Sequence, residues 1–227
     1  MIRCAMFDLG NVLAHYKSQQ WLDFLERYRR RGAEPPSKVV RADHVAKYDL
    51  GQIGDFEFFE ESKRAWNIEV SEEVFFSEFV KLLVPDLRMI SLKQVLIQNG
   101  IKTAIVSNIN RVHFECVNRR WPEVFIGFEY LALSFRLGLR KPDPKIWQAA
   151  SRKLKVPLSE CFFIDDLEEN VAAFEKLGGT GHHYDVVDEK FCPNGRLEME
   201  RTILVRKMVN LEMLTPTQAG NILKIIF

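Results

Sequence analysis

Apolar residues in this chain gather in short continuous runs. Five runs have strand character: IRCAMF (2–7), KTAIVS (102–107), YLALS (130–134), CFFID (161–165) and GTGHHYD (179–185). Most are unbroken rather than alternating, the pattern of strands buried on both faces. From residue 87 onward, helical patterns separate them. Pro85-Asp86 opens a helix predicted to reach about Asn99. Asp143-Pro144 supplies an N-cap and a proline at the first helical position, opening a helix to about Leu154. A third helix is predicted over 167–177, ending at Gly178-Gly179. Strand–helix alternation of this kind predicts an α/β fold with a doubly wound parallel sheet.

Residues 15–86 interrupt the alternation. Trp21, Phe24, Leu25 and Tyr28 fall at helical spacing, as do Phe75, Phe79, Leu82 and Leu83. Ser71 is the expected N-cap of the second group, with Glu72 and Glu73 suited to its first turn. DLGQIGD (49–55) reads as a turn between two helices, and no strand is expected in this segment. The division that follows is a core at 1–14 and 87–187, a helical insert at 15–86 and a helical C-terminal extension at 188–227. In the extension, Thr215-Pro216 again resembles a cap and first turn, and NILKIIF ends on apolar residues. An apolar terminus needs a cover, from its own domain or from a second subunit in a homodimer.

The charge balance narrows the partners. A net charge of +1 gives no basic surface for nucleic acid, so none is expected as a partner. No run is long enough to span a bilayer, so no membrane partner is expected, and no signal peptide is recognised. Cys4, Cys116, Cys161 and Cys192 form no CxxC pair. A reduced, cytoplasmic setting is the expectation.

Four polar signals interrupt the apolar pattern in order: Asp8 in FDLGNV, Ser107-Asn108 in AIVSNIN, Lys141 in GLRKPDP and Asp165-Asp166 in FFIDDLEEN. Taken singly, each has a structural explanation. Asp166 with Glu169 reads as a capping box, and Ser107 or Asn108 as the cap of a helix near residue 111. Asp8 is harder to explain this way, because an unpaired acid among apolar residues costs several kcal/mol. Open parallel sheets bind ligands beyond the carboxyl ends of their strands. Neighbouring strands would therefore bring three carboxylates, a hydroxyl and a lysine into one crevice. A Mg2+ ion would relieve the repulsion among the acids. Lysine and hydroxyl would then receive a phosphate, which a carboxylate nucleophile can attack.

These motifs resemble those of the haloacid dehalogenase-like hydrolase superfamily, over about residues 1–185. The SNINRVH and RKPDPKIW contexts are similar to a subgroup of small bacterial sugar-phosphate phosphatases that includes an α-glucose-1-phosphatase. The resemblance implies a Rossmann-like core with a helical cap at 15–86. It also implies a cytoplasmic, Mg2+-dependent phosphatase acting on a small phosphorylated substrate, a sugar phosphate among the candidates, through an aspartyl-phosphate. In that frame Asp8 is nucleophile and metal ligand, the carbonyl of Gly10 a second ligand, and Asp166 a third. Asp165 holds the metal or a metal-bound water. Ser107 and Asn108 hold phosphoryl oxygens, and Lys141 neutralises Asp8 and the phosphate. The departure is Gly10, where most phosphatases of the family carry an acid–base aspartate. The residues considered in its place are His15, Tyr16 and an unspecified cap residue. Two other functions remain open from sequence: a weak or inactive member serving as a binding module, and a 2-haloacid dehalogenase. His44, Tyr48 and Gln52 are the candidates for substrate preference. His182 and His183, adjacent on a strand, are expected to be structural.

Overall fold

The computed structural model describes residues 1–33, 43–185 and 196–226. The chain opens with β1 (Cys4–Phe7) and β2 (Ala14–Tyr16), followed by α1 (Ser18–Arg27), α2 (Asp43–Asp49), α3 (Asp55–Ala65) and α4 (Glu72–Phe79). Then come β3 (Leu83–Pro85), α5 (Leu87–Gln98), β4 (Lys102–Ser107), α6 (Arg111–Arg120), β5 (Tyr130–Leu133) and α7 (Ser134–Leu137). It continues through α8 (Pro144–Leu154), β6 (Cys161–Asp165), α9 (Glu168–Glu175) and β7 (Thr180–His183), and closes with α10 (Arg196–Asn210) and α11 (Pro216–Ile226).

The five strands expected from the apolar runs form one sheet in the order β5-β4-β1-β6-β7. Every pairing in it is parallel, with Phe7 in register with Ile105 on one side and Ile164 on the other. The continuous apolarity has the expected cause. Side chains alternate along each strand, and both faces are covered. Ala5, Phe7, Ile105, Phe162 and Ile164 face one core; Cys4, Met6, Ala104, Val106 and Phe163 face the other. The second core is closed by Ile146, Trp147, Ala150 and Leu154 of α8. Cys4 and Cys161 are free, buried and in register across β1 and β6, whereas Cys192 lies outside the described residues.

In the insert, α1 to α4 gather around an aromatic cluster that includes Trp21, Phe58, Trp66, Phe75 and Phe79. Ser71 caps α4 by accepting from the Val74 amide, as expected. The expectation of no strand at 15–86 is corrected. Three-residue strands β2 and β3 pair antiparallel, Ala14 with Pro85 and Tyr16 with Leu83, and form the stalk between core and helices. Leu83, grouped by spacing with the α4 residues, belongs to this ribbon. Strands of three residues are too short to show a period of two.

Part of the C-terminal extension packs on its own chain, whereas the side chains at 225–227 lie outside those described. Leu204, Val205, Met208, Met213, Leu214 and Ile222 join the core on the α5 side of the sheet, so these six residues need no second subunit to cover them. Thr215 and Gln218 form a reciprocal capping box at the start of α11, with bonds of 3.2 and 2.9 Å. Asp86 caps α5 and also receives His15 at 3.1 Å and Arg201 of α10 at 2.5 Å. Burial opposes its charge, but these two partners hold its carboxyl down at about 2. The extension is thus tied to the foot of the ribbon.

Candidate active site

Because β1, β4 and β6 run in the same direction, their carboxyl ends release Asp8, Ser107 and Asp165-Asp166 at one edge of the sheet. Lys141, from the loop before α8, reaches the same place. Its Nζ lies 2.9 Å from Asp8 Oδ1 and 2.5 Å from Asp165 Oδ2, with almost no exposure to solvent. The Asn108 amide fixes this loop: Oδ1 accepts from the Lys141 amide at 2.8 Å, and Nδ2 donates to the Lys141 carbonyl at 3.0 Å. The Asn108 side chain is therefore committed to positioning Lys141. It does not cap α6; Asn110 does, by accepting from the His113 amide.

The two aspartates at the end of β6 differ in use. Asp165 is fully buried. Its Oδ1 accepts from the Leu167 amide and Asn170 Nδ2 at 2.8 and 2.9 Å, and its Oδ2 holds Lys141. Asp166 faces the cavity and accepts from Asn11 Nδ2 at 2.8 Å. The expected Asp166–Glu169 capping box does not form. Leu167 occupies the N-cap position, and the carboxylate of Asp165 takes its amide.

Asp8, Asp165 and Asp166 each present an oxygen within 4.8 Å of the others. Burial pushes Asp8 up to about 7; Lys141 opposes this, and Asp165 and Asp166 add to it. Burial also raises Asp166, against the hydrogen bond from Asn11. Burial disfavours the ammonium of Lys141, but Asp165 and Asp8 outweigh it and hold the lysine above its ordinary value. Three acids thus share one lysine. Asp8 Oδ1 also accepts from the Leu9 amide at 2.7 Å, and Asp8 lines the cavity. An all-oxygen donor set with excess negative charge fits a hard divalent cation such as Mg2+. Of the three acids, Asp8 and Asp166 line the cavity and could hold such an ion, with Gly10 beside them in its wall.

Above these groups lies a cavity of about 380 Å3. Ser107, Lys141 and Asp166 lie on its core side, and Trp21, Phe58, Trp66 and Phe79 on its helical side. Within α2, Val45 and Asp49 line it. The three residues expected to set substrate preference do not. His44 packs on Trp66 at 5.0 Å, Tyr48 stacks on Phe58 at 4.0 Å, and Gln52 is exposed beyond the helix. Residues 44 and 48 share one helix face and 45 and 49 the next, so the expectation chose the face turned into the cluster. His182 is buried beside Phe162 and Tyr184, while His183 contacts the carbonyl of Asp166 at 3.1 Å; they form no pair.

Several cavity residues carried no sequence expectation. Asn11 bridges Asp166 and the Tyr16 amide from a left-handed backbone, φ 56°. Its signal was an asparagine directly after Gly10, since asparagine tolerates that conformation. Arg140, beside Lys141, also lines the cavity, and its Nε has no hydrogen-bond partner among the described residues. Asp49 sits at the head of the DLGQIGD turn.

Comparison with known proteins identifies the family and matches the fold. A family profile described as haloacid dehalogenase-like hydrolase matches residues 2–178. The sesquiterpene phosphatase astK of Aspergillus oryzae is 24% identical over 185 residues, which cover 80% of this chain and 89% of that protein. The drimenol cyclase drtB of Aspergillus calidoustus is 21% identical over 78% of this chain, which spans only 33% of that longer protein. The HAD family enzyme bt-2542 of Bacteroides thetaiotaomicron, solved with magnesium and inorganic phosphate, superposes with a TM-score of 0.68. It is 20% identical, covering 86% of this chain and all of that one, a likeness of fold. A HAD-like family hydrolase of Porphyromonas gingivalis gives 0.66 at 21% identity, over 80% and 90% of the two chains. The chain belongs to the haloacid dehalogenase-like hydrolases.

Proposed function

We propose that this protein is a Mg2+-dependent phosphatase that hydrolyses a phosphomonoester with an apolar body through an aspartyl-phosphate on Asp8. The observation that carries the reading is Lys141 clamped between Asp8 and Asp165, with Asp166 beside them, at the floor of an aromatic-walled cavity. Mg2+ held by Asp8, Asp166 and the Gly10 carbonyl would offset the carboxylates and draw charge from the phosphoryl oxygens. Asp8 Oδ2 attacks phosphorus, while Lys141 and Ser107 hold the non-reacting oxygens. Asp165 and Asn108 keep Lys141 in place. Water then attacks phosphorus and frees Asp8. The helical segment acts as the cap: it encloses the ester and excludes water.

The cavity wall moves the substrate away from the sugar phosphate suggested by the subgroup resemblance. Trp21, Val45, Phe58, Trp66, Phe79 and Leu83 suit a hydrocarbon body, in keeping with the relative named as a sesquiterpene phosphatase. A cavity of about 380 Å3 is within the usual range for small-molecule sites. A cytoplasmic setting remains part of the reading, supported by free Cys4, Cys116 and Cys161. Among the described residues, no helix is long and apolar enough to cross a membrane.

Product release from hexyl phosphate, farnesyl phosphate, glucose 1-phosphate, 4-nitrophenyl phosphate and 2-chloropropionate, with Mg2+ or with EDTA, tests this. The expected result is Mg2+-dependent phosphate release that favours the apolar esters and falls to background in Asp8→Asn. Metal-independent chloride release would make the protein a dehalogenase, and no turnover of any compound would make it a binding module.

A further inference from the structure

Hydrolysis of an alkyl phosphate needs a proton for the departing oxygen, and Gly10 has no side chain to give one. We propose that Asp49, carried by α2 of the cap, is the general acid and base of this site. The assignment rests on the phosphatase reading above.

It follows by elimination among the described titratable groups that line the cavity: Asp8, Tyr16, Asp49, His113, Arg140, Lys141 and Asp166. Asp8, Lys141 and Asp166 form the floor cluster. His113 has both ring nitrogens engaged, with Phe79 O at 2.7 Å and Asn110 Nδ2 at 3.2 Å, and burial holds it neutral, down at about 4. Burial, with the charge of Asp49, pushes the Tyr16 phenol far up, and an arginine does not release its proton. His15 faces away, paired with Asp86.

Asp49 has the opposite properties. Burial pushes its carboxyl up to about 6, with Asn110 and Arg140 pulling back, so both protonation states are accessible near neutral pH. Among the described residues only its Oδ1 has a hydrogen-bond partner, Asn110 Nδ2 at 3.3 Å. Its place is fixed from the core side. The Asp49 carbonyl accepts from Ser134 Oγ at 2.5 Å, and two residues later the cap turn runs so close to α7 that a Cβ on Gly51 would lie 2.7 Å from the Phe135 carbonyl. Asp49 is thereby pinned to α7 and, through Asn110, to the loop that follows Ser107.

The steps balance. As Asp8 forms its bond to phosphorus, the ester P–O bond breaks with its electron pair on the leaving oxygen. That oxygen takes the Asp49 proton and leaves as the alcohol. Water then attacks phosphorus and gives a proton to the Asp49 carboxylate. The P–O bond to Asp8 breaks with its pair on Asp8, and inorganic phosphate departs. The enzyme returns to its starting state.

The test compares hexyl phosphate, a poor leaving group, with 4-nitrophenyl phosphate, a good one, on the Mg2+-loaded enzyme. In Asp49→Asn, kcat/KM should fall about 10²–10³-fold for the alkyl ester and at least about tenfold less for the aryl ester. Gly10→Asp added to Asp49→Asn should recover alkyl turnover, since a Cβ at residue 10 meets open space. Carboxyl NMR of the metal-free protein should show a titration near 6 that Asp49→Asn removes. Equal loss on both esters, or no loss on either, would overturn the assignment while leaving the phosphatase reading intact. A wild type without Mg2+-dependent turnover of either ester would overturn both.

Discussion

The floor and the roof of the cavity are built on opposite principles. On the floor, buried charges fix one another: Lys141 joins Asp8 to Asp165, Asn11 holds Asp166, and the Asn108 amide locks the Lys141 backbone. On the roof, rings pack on rings, with Trp21 stacked on Phe24 at 4.8 Å and Tyr48 on Phe58 at 4.0 Å. Hydrogen-bonded charges hold atoms to tenths of an ångström and suit bond making. Ring packing is non-directional and suits selection of a substrate body by shape and apolar area. On the proposed phosphatase reading, the reaction belongs to the sheet and the choice of substrate to the helical segment. Asp49 is the proposed exception, a roof residue taking part in the floor's chemistry.

The largest test of this contrast is Lys141→Met. It leaves Asp8 and Asp165 buried without their shared cation, so the protein should lose about 3–5 kcal/mol of stability. Turnover should fall with it. Denaturant titration and phosphate release check both, and Mg2+ should restore part of the stability. An unchanged unfolding midpoint would mean that the floor is not organised by charge.

A smaller effect concerns pH. Burial raises Asp8 to about 7, well above the ordinary carboxylate value of 3.8. The native state therefore holds a proton that the unfolded chain has released. Asp8's share of stability is full below about 4 and is lost as pH climbs to about 7. On the proposed reading a cation would replace that proton, so Mg2+ should raise Tm more at pH 8 than at pH 5.5. An equal shift at both pH values would remove Asp8 from the metal site.

The smallest effects belong to the roof. Each methylene buried contributes about 0.8 kcal/mol, so kcat/KM for linear alkyl phosphates should rise about fourfold per carbon until the cavity is filled. Val45→Asn should flatten that slope and leave Mg2+ affinity unchanged. A flat slope in the wild type would return the substrate to the polar class.

The sequence made the floor legible and the roof largely not, for physical reasons. Asp8, Ser107 and Asp166 follow continuous apolar strands, and a parallel sheet brings such strand ends to one edge whatever the loops do. The ribbon strands β2 and β3 left no periodic trace in three residues each. In α2, both 44/48 and 45/49 satisfy the i, i+4 spacing, and spacing alone does not say which pair faces a cavity. Capping was legible where the cap stands before a clear helix, as at Ser71, Asp143 and Thr215. It was misread at 107–110 and 165–167, where several polar residues compete for the same amides: Asn110 rather than Asn108 caps α6, and Asp165 rather than Asp166 takes the Leu167 amide.

The central claim is that Asp8 carries the phosphoryl group. Acid-quenching the enzyme during turnover of hexyl phosphate with Mg2+, followed by peptide mass spectrometry, tests it directly. The account requires the mass of one phosphoryl group on the peptide that contains Asp8, absent with EDTA and absent in Asp8→Asn. A phosphoryl group on another residue, or turnover that persists in Asp8→Asn, would contradict it.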